Sequence, residues 1–281
     1  MSNVLIKGDV ISRIINEKMV GREKLLSLAS DMGSLNNGVQ AGDTVSVIKF
    51  AHLSEATDIT KGTPIALEDV EATKSSETIE HKGKGFAIYD IEANTTIGGK
   101  DIVTKKAEDV ADVFVRAMEK SLGGKLVNAP LKFATANADA ITATEINTAL
   151  ANAFGDDQDV DTIAGIVVNS KVATGFYGMP EFVSADLTHT QGGNGVVRNG
   201  LIGYFRGMPV FMSDVCTYDS TKAECVSFII KKESIGYKRA FGEVEPTRNA
   251  SLKRTEVYGD IAYFTAILDD TGVVVMRKTI A

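Results

Sequence analysis

The sequence contains no tryptophan and only five prolines, two cysteines and three histidines among its 281 residues. Two cysteines are too few for the disulfide framework of a small secreted domain. No apolar run approaches the roughly 18 residues needed to cross a bilayer. The N-terminal residues lack the apolar segment and cleavage site of a secretory signal. These absences argue against a disulfide-rich secreted domain and against a membrane-spanning protein.

A basic excess is also missing. The chain carries 30 lysines and arginines against 37 acidic residues, for a net charge of −7 and a pI near 5.1. The basic residues are scattered among the acidic ones, so no basic face is visible for binding nucleic acid. Apolar residues make up 44% of the chain, which is enough for a sizeable core. The length suits one large domain or two to three small ones.

The two cysteines, Cys216 and Cys225, flank a predicted turn. A cross-strand disulfide would fit that placement, with free thiols as the alternative. Because cytosolic disulfides are rare, the free thiols are favoured.

The longest amphipathic pattern runs from Thr104 to Gly124 and predicts a helix that organises the fold. Thr104 is predicted to cap its start, and Gly123-Gly124 to end it. Apolar residues recur at spacings of three and four on one side: Ala107, Val110, Ala111, Phe114, Met118 and Leu122. Charged residues fill the other side. Phe114 and Met118 are therefore predicted core residues, and Arg116 and Glu119 predicted interface residues.

The segments before this helix lack cores of their own. Residues 1–30 predict an arm with a short amphipathic helix, which must lie on its own domain or on a neighbouring subunit. Residues 42–92 predict a long hairpin, with a strand TVSVIKF at 44–50, a return strand at 77–90 and a polar tip between them. An isolated hairpin is marginally stable in water, so we expect it to lie on a partner.

The remaining segments predict an α+β chain with two mixed lobes, in which the long helix packs on the C-terminal strands. A capping box at Thr142–Glu145 begins a helix that Gly155 ends, and Ser170 is expected to cap a short one. Strands are predicted at 162–168, 200–214 (with a turn at Arg206-Gly207), 225–231 and 252–268. Asp269–Gly272 predicts a hairpin turn, after which 273–276 would pair back with the preceding strand.

The search for chemistry yields no site. The acidic run 155–161 has the one-three-five spacing of a calcium loop, but Thr162 stands where glycine is needed and Val168 where a glutamate is needed. Gly193, Gly195 and Gly200 do not make a dinucleotide fingerprint, and Gly98-Gly99-Lys100 is not a phosphate-binding loop. His52 and His81 would make a metal pair only by facing each other across the hairpin, and His189 stands alone. No catalytic, cofactor-binding or metal-binding residue is assigned, and the chain is not expected to be an enzyme or to need a cofactor.

Three stretches carry a resemblance to a known family: GLIGYFRGMPVFMSD (200–214), CVSFIIKKESIGYKRA (225–240) and VEPTRNASLKRTEVYGDIAYFTAILDDTGVVVMRK (244–278). Together with the order of elements, they resemble the major capsid (coat) proteins of tailed bacteriophages. The resemblance implies an N-terminal arm (1–41), an extended β-hairpin loop (42–96), a peripheral domain with a long spine helix (97–125), an axial domain (126–232) and a return to the peripheral domain (233–281).

The resemblance also implies a function and partners. Copies of the chain would assemble through pentamers and hexamers into an icosahedral shell that encloses double-stranded DNA without sequence-specific binding. Scaffolding, portal and decoration proteins would be separate chains, and the shell, assembled in the host cytoplasm, would become part of the virion. The alternatives are an encapsulin-type compartment shell and a soluble enzyme with an unrecognised site.

Overall fold

The computed structural model describes residues 8–20, 22–35, 41–50, 72–91, 102–183, 200–241 and 244–280, with a few positions between 58 and 69. Its helices are Gly8–Val20, Ile102–Leu126, Ala143–Phe154, Ser170–Phe176 and Pro180–Val183, with a 3-10 turn at Leu26–Leu28. We refer to Ile102–Leu126 as the spine helix. No helix within these ranges is both long and apolar enough to cross a membrane.

The strands follow in chain order. They are β1 Ser30–Ser34, β2 Thr44–Phe50, β3 Ala72–Thr78, β4 Glu80–Tyr89, β5 Leu131–Ala134, β6 Ile163–Val168, β7 Leu201–Phe205, β8 Met208–Met212, β9 Tyr218–Asp219, β10 Glu224–Cys225, β11 Ser227–Lys231, β12 Ile235–Phe241, β13 Glu245–Asn249, β14 Arg254–Ile267 and β15 Val273–Arg277. Within the described ranges they form a five-stranded sheet, a six-stranded sheet and two two-stranded ribbons.

The five-stranded sheet is built around β14, which is a single long strand as predicted. Its residues 254–263 pair with β4 on one side. On the other side, 254–258 pair with β13 and 261–267 pair with β12, with Gly259 between the two pairings. β1 joins the outer edge of β12 in parallel. The arm therefore contributes an edge strand to the chain's own sheet.

The spine helix packs its apolar stripe against one face of this sheet. All six predicted stripe residues are buried, and the Phe114 and Phe241 rings meet edge to face with centroids 6.0 Å apart. On its other flank the spine helix covers Ile11, Ile15 and Met19 of the N-terminal helix. The arm was expected to lie either on its own domain or on a neighbouring subunit. Its helix, Gly8–Val20, packs on its own domain.

Both predicted ends of the spine helix are wrong. The helix already includes Ile102, so Thr104 lies inside its first turn, and it continues past both glycines to the buried Leu126. Gly123 serves close packing instead, since a Cβ there would lie 2.6 Å from Cys216 Cβ. The helix ends where the side chain of Asn128 donates to the carbonyl of Gly124, at 3.1 Å.

The six-stranded sheet has the order β5-β15-β11-β6-β8-β7, and its strands β15, β11 and β6 lie between two cores. Alternate residues on each strand point to opposite faces. Phe228 and Val275 point toward the spine-helix core. Ile229 and Val274 point toward a second core, which the helices Ala143–Phe154 and Ser170–Phe176 cover.

The predicted hairpin between β14 and β15 is wrong. β15 pairs with β11 and, in parallel, with β5, so Asp269–Gly272 carries the chain from one sheet to the other. The physical reason is burial. Every residue of β15 is buried, and its position between β5 and β11 places its alternate residues in two different cores.

Three of the local predictions for the middle region are confirmed, and a fourth is shifted by one residue. The capping box at Thr142 and the stop at Gly155 are both present. The tight turn at Arg206-Gly207 joins β7 to β8, with φ values of 49° and 84°. Ser170 is already helical, and Asn169 caps the helix in its place by accepting from the backbone N–H of Lys171 at 3.0 Å.

Candidate assembly surfaces

The hairpin differs from its prediction in pairing and in position. β2 pairs with β3. The predicted return strand is split at Ile79, and β4 beyond it belongs to the five-stranded sheet. Reciprocal backbone hydrogen bonds close the base of the hairpin, from Gly42 N to Ile79 O (3.0 Å) and from Ile79 N to Asp43 O (2.9 Å).

The described part of the hairpin lies on its own subunit. Val47 is buried against Phe264 and Ala266, on the face of β14 opposite the spine helix. Lys49 Nζ reaches Asp270 Oδ1 at 2.6 Å, which fixes the far end of β2. The predicted tip falls mostly outside the described residues. A partner is therefore not needed to hold the base of the hairpin.

The hairpin leaves part of that sheet face uncovered. The uncovered part carries Tyr258, which is 53% exposed, and Tyr89, which is 40% exposed. The Tyr258 hydroxyl donates to Glu256 Oε2 at 2.6 Å, and Arg254 donates to the Tyr89 hydroxyl at 3.1 Å. Exposed tyrosines braced by charged neighbours are typical of protein interfaces, where the ring supplies apolar area and the hydroxyl a hydrogen bond.

A cleft of about 810 Å³ opens between the N-terminal segment, the spine helix and the loop 213–216. Within the described part of the chain, each carboxylate that lines this cleft has a partner. Asp112 pairs with Arg22 at 2.5 Å, and Asp214 accepts from the backbone N–H of Ser170 at 2.9 Å. Glu119 is bound to backbone N–H groups.

Three cations on the cleft wall are left over. Lys24, Arg116 and Lys120 form no ion pair with any described residue. Arg116 and Lys120 are exposed, and Lys24 is half-buried, with its stem running over Gly200. The lining as a whole holds four cations against three carboxylates, and Asp214 is met by a backbone N–H rather than by a cation. The exposed positive charge is concentrated on Arg116 and Lys120 of the spine helix, and we refer to this cleft as the basic cleft.

Glu119 corrects the prediction that it would be an interface residue. Only 3% of it is exposed, and Oε1 accepts from the backbone N–H groups of Lys24 (2.6 Å) and Leu25 (2.8 Å). It thereby holds the start of the 3-10 turn against the spine helix. Burial raises the pKa of the Glu119 carboxyl, although these hydrogen bonds act in the opposite direction. Arg116 is exposed, as a surface role requires.

A buried charged cluster at the end of β15 was missed from the sequence. Arg277 donates to Glu224 Oε1 and to Asp219 Oδ2, both at 2.7 Å, and Thr279 N donates to Glu224 Oε2 at 2.9 Å. Glu224 is 1% exposed. Burial raises the pKa of Glu224, but the hydrogen bonds from Arg277 and Thr279 outweigh it and leave that pKa below its usual range. The cluster ties the β9–β10 ribbon to β15, across more than 50 residues of sequence, and no local motif announces it.

The sequence candidates for metal binding are dispersed. His81 Nε2 lies 2.5 Å from Asp260 Oδ2, while His52 and His189 fall outside the described residues, as do Gly193, Gly195 and the 98–100 loop. In the acidic run, Asp157 is turned toward Lys231 at 2.5 Å. In the described ranges, no three His, Cys, Asp or Glu side chains gather where they could hold a metal ion.

The cysteines are free. The Cys216 side chain packs on Gly123 of the spine helix, while Cys225 Sγ lies 3.4 Å from Asp139 Oδ1. Burial and the nearby Asp139 raise the pKa of Cys225 to about 11, so this thiol stays protonated at neutral pH. Free thiols, the favoured alternative, are the ones observed.

No protein-family model and no curated protein matches the sequence. Solved structures match over most of the chain. The structure from Mycobacterium phage Che8 is 19% identical with a TM-score of 0.60, covering 85% of this chain and 86% of that one. The capsid structure of the cyanophage P-SCSP1u is 13% identical, with a TM-score of 0.62 and coverages of 92% and 89%. The holo-SrpI encapsulin complex from Synechococcus elongatus PCC 7942 is 12% identical, with a TM-score of 0.56 and coverages of 86% and 83%.

These likenesses agree with the resemblance inferred from the sequence and show that it holds for the three-dimensional fold. They cover 85% and 92% of this chain, so the match does not rest on a short local motif. The chain has the α+β fold of tailed-phage capsid proteins, with an arm, a hairpin, a spine helix and two mixed lobes.

Proposed function

We propose that this chain is a major capsid protein that assembles through pentamers and hexamers into an icosahedral shell around double-stranded DNA. The observation that supports this most strongly is the likeness to capsid structures over about nine-tenths of both chains. The shell would be part of the virion and would form in the host cytoplasm, with scaffolding, portal and decoration proteins as separate chains.

We further propose the domain roles. Residues 1–41 would be the arm, 42–96 the extended loop, 97–125 and 233–281 the peripheral domain, and 126–232 the axial domain. We propose one change to this division. Because β15 pairs with β11 and β5 in the six-stranded sheet, residues 273–277 would be grouped with the axial domain.

The energetic argument for assembly rests on the exposed surfaces. The outer side of the hairpin base exposes Ile48, and the uncovered sheet face exposes Tyr89 and Tyr258. Burying such area against neighbours contributes about 25 cal/mol per Å², less the cost of ordering the partners. Repeated around closed rings, modest contacts of this kind give a durable shell.

The first experiment is direct. The purified chain, studied by size-exclusion chromatography and negative-stain electron microscopy, should form rings, shells or tubes. A chain that stays monomeric across protein and salt concentrations, and that binds a small substrate, would favour the enzyme alternative.

A compartment shell of the encapsulin type is the second candidate, because an encapsulin complex shares the fold. The contents of native particles separate the two functions. A viral capsid should release nuclease-sensitive duplex DNA when opened, whereas a compartment should release a defined cargo protein and little nucleic acid.

The charge of the chain suits a DNA container. With a net charge of −7, an inner wall that binds duplex only weakly lets the DNA be packed and released. We expect weak affinity of isolated subunits for duplex DNA. Tight binding that falls steeply with salt would contradict this expectation.

A further inference from the structure

Lysine and arginine side chains of the basic cleft lack ion-pair partners among the described residues. Aspartates of the acidic run 155–161, for which no role has yet been given, lack them as well. Lys231 neutralises only Asp157. Asp156, Asp159 and Asp161 are exposed and form no ion pair with a described residue. We call residues 156–161 the acidic loop. The two surfaces are thus complementary in charge, and neither is satisfied within its own subunit.

Their placement prevents them from meeting within one chain. The acidic loop leads directly into the first residue of β6, with Thr162 N bonded back to Asp159 O at 2.9 Å. The cleft loop lies beyond the last residue of β6, where Ser213 N donates to Val168 O at 3.0 Å. Six residues of strand, or roughly 20 Å, separate them. They therefore lie at opposite ends of the same sheet.

Complementary surfaces at opposite ends of a molecule are the requirement for head-to-tail association. Such a contact is heterologous, and it closes into a ring when the rotation between neighbours divides the circle evenly. Long lysine and arginine side chains in the cleft would accommodate the small difference in angle between a five-membered and a six-membered ring.

We propose that the acidic loop of one subunit docks in the basic cleft of the next, with Asp159 and Asp161 facing Arg116 and Lys120. The partner is a second copy of this chain, and the inference rests on the proposed shell function. The recognition is electrostatic: the contact steers subunits into one orientation and weakens as salt screens it.

A charge-swap experiment tests the contact. The variant Arg116→Glu with Lys120→Glu, and separately Asp159→Lys with Asp161→Lys, should each slow ring formation and raise the concentration needed for it by roughly tenfold or more. Combining all four changes in one chain recreates the attraction with its sign reversed and restores the wild-type net charge. The combined variant should assemble like the wild type.

Two exposed lysines outside both surfaces provide the matched control. Lys222→Glu with Lys278→Glu changes the net charge as much as the cleft variant does and should leave assembly unchanged. Circular dichroism and unfolding midpoints of each variant show whether it still folds.

The outcomes separate this inference from the shell function. If the wild type forms rings and both reversals still do, or if the combined variant stays impaired while folded, the contact is refuted and the shell function stands. A wild type that never assembles refutes both. If the cleft instead binds a short DNA duplex, and Arg116→Glu abolishes that binding without changing assembly, the occupant is nucleic acid and the proposal is wrong.

Discussion

Phe114 belongs to the apolar stripe by which the spine helix packs on the five-stranded sheet, so Phe114→Ala perturbs that packing directly. The side chain is 1% exposed and packs edge to face on Phe241. Truncating a buried phenylalanine to alanine costs about 3–5 kcal/mol, which includes the cavity that remains. That is a large share of the free energy of unfolding of a typical domain, which is roughly 5–15 kcal/mol.

The assay is equilibrium urea unfolding of unassembled subunits, because association adds apparent stability that depends on concentration. At about 2 °C per kcal/mol for a long chain, the melting temperature should fall by about 6–10 °C. The slope of the urea transition should stay the same if the native fold is kept.

Val113→Ala is the matched control. It shortens a smaller apolar side chain one position earlier on the same helix, where the valine is 44% exposed, so it controls for changing the helix without opening a buried cavity. It should change stability by no more than about 0.5 kcal/mol. If Phe114→Ala cost less than about 1 kcal/mol, or no more than the Val113 control, the spine-helix core would not be the main support of the sheet.

Three further predictions test other parts of the fold. Gly123→Ala should lower stability by about 1–3 kcal/mol because the new Cβ would meet the cysteine packed against it. Gly124→Ala, whose Cβ meets nothing within 4 Å, should raise stability by about 0.5–1 kcal/mol through helix propensity. Equal melting temperatures of the two variants would contradict this. Glu119→Ala should cost about 1–3 kcal/mol by leaving two backbone N–H groups unpaired. Since the folded-state pKa of Glu119 is raised, its contribution to stability falls as pH rises from the usual carboxyl range through that raised value, and Glu119→Gln should remove this slope from a stability-against-pH curve. Arg277→Leu should lower stability by about 3–5 kcal/mol because it leaves the buried Glu224 carboxylate without its cation. In the wild type, the lowered pKa of Glu224 contributes stability that is present above the usual carboxyl range and is lost as pH falls through the lowered value. A variant as stable as the wild type at pH 7 would refute the buried-pair argument.

Elements fixed by local chemistry could be predicted from the sequence. The stripe from Ala107 to Leu122 matches the period of a helix, and all of its members are buried. The capping box at Thr142 needs only four consecutive residues, and the turn at Arg206-Gly207 needs two. The resemblance to capsid proteins also agrees with the solved structures, because it relied on the order of such elements.

The burial of charged side chains could not be predicted from the sequence. Glu119 lies near the edge of the apolar stripe, and its charge suggested exposure. It is buried because the backbone N–H groups of Lys24 and Leu25, almost a hundred residues away, compensate part of its desolvation. The cluster around Arg277 and the cleft beside Arg116 depend likewise on distant segments. Such partners follow from the tertiary fold, and no spacing in the sequence specifies them.

The strand β15 shows where turn chemistry ends and sheet chemistry begins. Asp269 and Gly272 do form a turn, with Thr271 N donating to Asp269 Oδ1 at 2.8 Å. A turn, however, reverses the chain without choosing the sheet that the next strand joins. The sequence VVVM after it is a continuous apolar run, which is typical of a strand buried on both faces rather than of the second strand of an exposed hairpin. Read that way, the composition of the strand outweighs the turn signal before it, and the residues themselves favour the place that β15 takes between β11 and β5.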